Sequence, residues 1–369
     1  MSDLFSSMFL LLGIVNGAIV FALLLTKKQR SQANWILGLF IMLVSIRALI
    51  YILSKGQIFD PVSWLYVPPI EISLAYGPCL FLYFTYLTQR HFQVRDLIHF
   101  IPVALQTLYY LGLFHAPTVY AEQWILNHHI TWVAYTETLV TVASMTAYLL
   151  ICWHGYQNYQ LWLDDNHSDS EDFRLTWLNT FLGVSSIYSV IWAGVSLSGL
   201  WIQTSYQSHF LLFAVQSILL CLLSFESWRF WQTRYPPIQH GTTNSEVEPS
   251  PINHSVDPQQ ANKTLSQAWL EQVIQQQCWR EPGLSLGNLA QRLGTDTKTL
   301  SYIIRAGRQE NFNAVINRLR IEYVCDVLGQ KEDLPNLVDL ASDAGFHSQR
   351  SFKRNFKRFT GVEPEQYTP

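Results

Sequence analysis

Five cations crowd one short run near the end of the chain: Arg350, Lys353, Arg354, Lys357 and Arg358, with no acid among them. Cationic side chains at this density suit a polyanion, because each phosphate they neutralise on a nucleic acid releases condensed counterions. Gln349 stands just ahead of them. In a major groove Arg pairs with guanine and Gln with adenine, so Gln349, Arg350, Lys353 and Arg354 form a candidate base-reading face. Rival chemistry is missing from the sequence. It has no phosphate loop, no HExxH, no nucleophile motif and no kinase or receiver pattern, so the expectation is a non-enzyme with no cofactor and no metal. His128-His129 are expected to be surface histidines of an outer loop, and none of the five cysteines has metal-ligand or disulfide spacing.

A helix must carry that face. Phe352, Phe356 and Phe359 recur at i, i+4 and i+7, which sets them on the side opposite the cations. Just upstream Leu337, Leu340, Ala341 and Ala344 also keep helical spacing, and Gly345 suits an αL stop. Two short helices, a glycine turn and a basic second helix make a helix-turn-helix. The pattern occurs twice. Leu286, Leu289, Ala290, Leu293 and Gly294 match the second copy position for position. A second short helix follows there too, with Leu300, Ile303 and Ile304 inside and Lys298, Tyr302 and Arg305 outside. The stretch from Phe312 to Leu328 reads as one helix joining the copies, and Thr264 or Ser266 as the cap of a helix that buries Leu265, Trp269 and Val273.

With these marks, residues from about 264 to 369 resemble the DNA-binding domain of AraC-type bacterial transcription regulators. The resemblance rests on Leu284-Ser285-Leu286, Leu289-Ala290, Leu300-Ser301, Asn317-Arg318-Leu319-Arg320, Ala344-Gly345-Phe346, Ser351-Phe352, Phe356-Lys357 and Thr360-Gly361-Val362 before Pro364 and Tyr367. It implies two recognition helices in successive major grooves about 34 Å apart. It also puts Thr297, Lys298, Ser301 and Tyr302 at base-reading positions, with Tyr302 departing from the basic or amide residue common there. Arg318 and Arg320 stand either for phosphate contacts or for salt bridges inside the domain.

The rest of the chain is different in kind. Charged residues are only 14% of the whole, and ten of the 24 Lys and Arg precede residue 260. Seven apolar segments of spanning length, about 17–25 residues, are expected at Leu4–Thr26, Trp35–Ser54, Ile70–Thr88, Leu97–Phe114, Ile130–Trp153, Leu175–Leu200 and Phe210–Ser227. The first lacks the basic start of a cleaved signal. Lys27, Lys28, Arg30, Arg90, Arg95, Arg174, Arg229 and Arg234 fall on one side and Lys55 on the other. Positive loops stay in the cytoplasm, so the N-terminus is expected outside and the C-terminus inside, at the inner membrane. Residues 236–263 are polar and aperiodic and read as a flexible linker.

The expected fold is therefore all-α: a seven-helix membrane domain (1–235), a linker (236–263) and an AraC-like domain (264–369). Within the apolar half Arg47, Glu71, His99 and Glu137 stand out. Charges in hydrocarbon are costly and usually pair or line a cavity, so Arg47 with Glu71 or Glu137 is either a structural pair or part of a ligand site. The expected partners are promoter DNA, the lipid bilayer, a small-molecule or membrane signal, RNA polymerase and a second copy of the chain. The alternative is a seven-helix receptor or transporter whose tail is a protein-interaction module.

Overall fold

Long runs of apolar side chains fold as helices here because a helix satisfies every backbone N–H and C=O within one segment. The computed structural model describes residues 14–15, 17–22, 32–55, 71–89, 92–198, 258–330 and 336–367, with short stretches inside 211–238. Among these the chain is all-α, with no strand beyond one isolated bridge between His167 and Ser285. The chain forms two units. The first comprises Met1–Tyr156 and Leu175–Pro237, and the second comprises Gln157–Arg174 and Ile238–Pro369.

The first unit holds helices α1 (Gln32–Lys55), α2 (Tyr76–Thr88), α3 (Ile101–His115), α4 (Thr118–Trp124), most of α5 (Ala134–Asn166) and α6 (Thr176–Ser198). Among the described residues four stretches are long and apolar enough to cross a membrane: Gln32–Leu49, Val94–His115, Val119–Asn166 and Ser170–Ser198. Outward-facing apolar side chains such as Leu105, Leu108, Ile187 and Val190 remain exposed on them. Helix α2 has 13 residues and is largely buried, and it covers only the later part of the third expected segment. The fifth continues well past its expected end at Trp153, as far as Asn166. Much of the first expected segment and much of the seventh lie outside the described residues, as does most of the expected linker.

Two local expectations need correction. His129 is buried, not on the surface: its ring stacks on Tyr109 and its Nδ1 shares a 3.1 Å hydrogen bond with the Tyr109 hydroxyl. A π-helical segment, Ile125–Val133, turns it inward, while His128 stacks on Trp124. Helix α7 (Pro258–Gln275) begins before Thr264 and Ser266, so neither caps it. Proline at the first helical position supplies a ready-made φ. Its buried stripe is Ser266, Trp269 and Val273, with Leu265 facing out.

The second unit contains α7, α8 (Leu286–Arg292), α9 (Thr297–Arg308), α10 (Phe312–Gln330), α11 (Leu337–Asp343) and α12 (Gln349–Thr360). It has two apolar cores. One gathers Trp269, Val273, Leu286, Leu289, Leu300 and Ile304 around Phe312, Val315 and Ile316. The other gathers Leu340, Ala344, Phe352 and Phe356 around Ile321, Val324 and Leu328. The first half of α10 belongs to the first core and its second half to the other, so one helix fixes both helix-turn-helix motifs.

Gly345 (φ +85°) and Gly361 (φ +84°) both sit in the left-handed region. A Cβ on Gly345 would drive into the Arg280 carbonyl, whereas one on Gly361 would meet nothing within 4 Å. Gly361→Ala should cost about 1–2 kcal/mol, the ordinary αL penalty, and Gly345→Ala clearly more. Equal losses in denaturant unfolding of the second unit would refute the steric part of this account.

Candidate nucleic-acid interface

The two basic helices are positioned by caps. Asp296 accepts the Thr299 N–H at 2.9 Å at the start of α9, and Ser348 accepts the Ser351 N–H at 3.1 Å at the start of α12. Hydrogen bonds from Thr299 hold the Asp296 carboxyl below its ordinary range. Apolar residues then anchor one side of each helix and leave the other outside. Lys298, Tyr302 and Arg305 are exposed on α9, with Thr297 and Ser301 half-buried beside them. Tyr302 alone keeps 61% of its surface accessible. On α12, Gln349, Arg350, Lys353, Arg354, Lys357 and Arg358 are all exposed. A shallow groove along that helix is lined by Gln349, Arg350, Lys353, Arg354 and Lys357, with Glu363 at its edge. The base-reading faces expected from the sequence are thus both outward.

Carboxylates already hold several of these cations. Lys353 pairs with Glu365, and Lys357 Nζ lies 2.7 Å from Glu363. Both are surface pairs, which contribute little and exchange readily. Arg354 Nη1 lies 2.6 Å from Glu171, and Arg305 pairs with Asp165. Arg318 pairs with Glu310 and lies over the Phe359 ring, so it serves the domain's own packing.

Arg320 is no phosphate contact: its side chain is 0% exposed. All five of its N–H groups find partners: Trp279 O at 2.8 Å, Asp169 Oδ1 at 2.6 Å, Asn317 Oδ1 at 3.3 Å, Ser168 Oγ at 3.2 Å and Glu281 O at 2.8 Å. Asn313 and Asn317 add bonds of 2.6 and 2.7 Å to the Ser168 carbonyl. Burial pushes the Arg320 guanidinium down from its usual value while Asp169 pulls it back.

Residues 157–174 therefore form part of the second unit: the end of α5 and the turn before α6 make a strap, where the sequence places the whole stretch in the membrane half. The signal was present as Asp164-Asp165-Asn166-His167-Ser168-Asp169-Ser170-Glu171-Asp172, a run of acids in a charge-poor region. Loop charge does not register such a run, because positive residues alone orient membrane loops.

In the first unit Arg47 pairs with Glu71, whose other oxygen accepts the Ser73 N–H at 3.1 Å. Ser73 Oγ lies 3.3 Å from Thr141 Oγ1 and 3.4 Å from Gln106 Nε2. Gln106 and Tyr110 both donate to Glu137, the latter at 2.7 Å. Arg47, Glu71 and Glu137 thus share one polar network. His99 is apart from it, with Nδ1 at 2.8 Å from the Tyr148 hydroxyl.

Residues 289–368 match the family model of a helix-turn-helix domain, of the AraC type. No curated protein and no solved structure matches the chain significantly.

The strap's attachment should depend on pH. Burial holds the His167 imidazole below its ordinary range, against the pull of Asp169. Trp162 and Phe173 also flank the ring. The attached strap thus favours neutral His167, so attachment is strongest above about pH 6.5 and weakens as the pH falls from there towards the depressed pKa. Hydrogen exchange of residues 164–174 should speed up between pH 7.5 and 5.5 beyond the intrinsic trend, and His167→Phe should flatten the change. No excess opening on acidification would contradict this reading.

Proposed function

We propose that this protein is a membrane-bound, one-component transcription regulator, in which a helical membrane half receives a signal and the helix-turn-helix half binds promoter DNA. The observation that carries the reading is the pair of exposed basic helices, α9 and α12, fixed by a single connecting helix whose two ends enter two separate cores. That is the arrangement a tandem reader of two successive major grooves requires. Lys298, Ser301, Tyr302 and Arg305 read or steady one groove, and Gln349, Arg350, Lys353 and Arg354 the other. Base contacts specify, and phosphate contacts set the register.

Four membrane-length stretches support the membrane half. Helix α5 has 33 residues, about 50 Å at 1.5 Å per residue, against a hydrocarbon core of about 30 Å. The excess length would bring its last turns out of the lipid. Seven spans with a cytoplasmic C-terminus, as loop charge implies, would put the basic helices in the compartment that holds DNA. The Arg47–Glu71–Glu137 network is the proposed place where a signal acts, since buried charges in such a bundle have few other uses. RNA polymerase and a second copy of the chain are the further partners of this reading.

Genome-wide occupancy of the full-length protein should give discrete promoter peaks. Arg350→Ala should weaken duplex binding by about 1–3 kcal/mol and relax base preference where Arg350 meets a base; a uniform loss on all sequences would make it a phosphate contact. A reporter active only in the cytoplasm should work when fused after Arg234 and fail near Ala116. Absence of any promoter enrichment would overturn the regulator reading, and the reverse reporter pattern would overturn the orientation.

A further inference from the structure

Five carboxylates fall within residues 164–172, and three of them meet the second unit at the groups through which it would take DNA. Glu171 holds Arg354 of α12 at 2.6 Å. Asp172 accepts the Ser348 hydroxyl at 2.7 Å, at the capped start of the same helix. Asp165 pairs with Arg305 of α9. One short segment thus touches both recognition helices, and it does so with negative charge.

The buried centre of the strap behaves differently from its edges. Asp169 and Ser168 are enclosed against Arg320, Asn313 and Asn317. Arg305 and Arg354 are more than half exposed at 59% and 53%, and can turn towards another anion. A guanidinium paired with a carboxylate meets a phosphate or a guanine edge only by giving up that pair, and a carboxylate left beside a phosphate repels it. A helix N-terminus is also a preferred phosphate seat, and Asp172 already stands at that of α12.

We propose that the acidic strap, residues 157–174, is a built-in competitor of DNA: Asp169 anchors it to Arg320 while Asp165, Glu171 and Asp172 occupy the contacts that phosphates must take. This rests on the DNA-binding reading above. The strap continues directly from α5, so a change in the membrane half reaches the recognition helices by loosening or seating these edge contacts. DNA occupancy follows the state of the strap.

The test uses the full-length protein in nanodiscs and a random-sequence duplex of about 30 bp, long enough for two successive grooves. Asp165→Asn with Glu171→Gln frees Arg305 and Arg354, leaves Arg174 on Asp164 after its 3.4 Å contact with Glu171 is lost, and keeps the Asp169 anchor intact. Glu271→Gln with Glu322→Gln removes the same charge from exposed positions of α7 and α10 and controls for the general field. The strap pair should tighten binding about ten-fold or more at low salt. It should also steepen the slope of log affinity against log salt by about 2, close to 0.9 for each freed cation. The control pair should shift affinity less and leave the slope alone. In the unaltered protein, adding duplex should raise hydrogen exchange at the amides of residues 170–174, beyond the Asp169 anchor.

Equal effects of the two pairs, or amides that stay protected while duplex is bound, would overturn the competitor role and leave the DNA-binding reading standing. No duplex binding by any form would overturn both.

Discussion

The second unit depends on one buried guanidinium. Arg320 lies on α10 between Ile316, which belongs to the first apolar core, and Ile321, which belongs to the second. A charge at that junction is costly unless every donor is met and the charge is paired. Here the planar five-donor fork is met in full, by Trp279 O, Glu281 O, Asn317, Ser168 and Asp169. A lysine has three donors on a point charge and could not reproduce that geometry. Three of the five partners come from the domain itself. The other two, including the only carboxylate, come from the strap, so the helix-turn-helix pair is not electrostatically complete without residues 168 and 169.

Much of this architecture was legible in the sequence, for a definite physical reason. Short helices with one buried stripe leave a periodic record, and the doubled pattern ending in Gly294 and Gly345 is such a record. It located both motifs, the joining helix and the outward cations. What the sequence did not disclose was pairing across long separations. Arg320 and Asp169 are 151 positions apart, and no local period connects them; Arg320 reads on its own like any arginine on a basic domain. The same holds for Arg47 and Glu71, whose pairing was expected only because charges in apolar surroundings must find partners. His129 and Ser266 were misplaced because a π-helical turn and an early proline start each shift a local face, and composition does not register such shifts.

The strap also changes how the two halves can communicate. Helix α7 takes the last six residues of the expected 236–263 linker, and the 22 that remain would span about 26 Å as a random coil and hold no orientation. Taken alone, they could only set local concentration. The chain makes a second connection, however. Helix α5 runs unbroken to Asn166, and its last ten residues belong to the unit that carries the basic helices. A continuous helix transmits displacement and rotation in a way that a coil cannot.

Burial divides the strap's contacts into two kinds with different free-energy behaviour. A buried pair such as Arg320–Asp169 adds little net stability over a well-packed apolar substitute, because desolvation offsets most of the attraction, yet losing one partner costs about 3–5 kcal/mol. Such a pair enforces register: it tolerates one seating of the strap and penalises others steeply. Solvent-exposed guanidiniums such as Arg305 and Arg354 are weaker partners, sensitive to salt and open to exchange with a stronger polyanion. Had all the contacts been buried, DNA could not displace them at reasonable cost. Had all been exposed, the strap would have no fixed place from which to compete. Placing the irreplaceable contact at the centre and the exchangeable ones over the recognition helices satisfies both requirements within one segment of fewer than twenty residues.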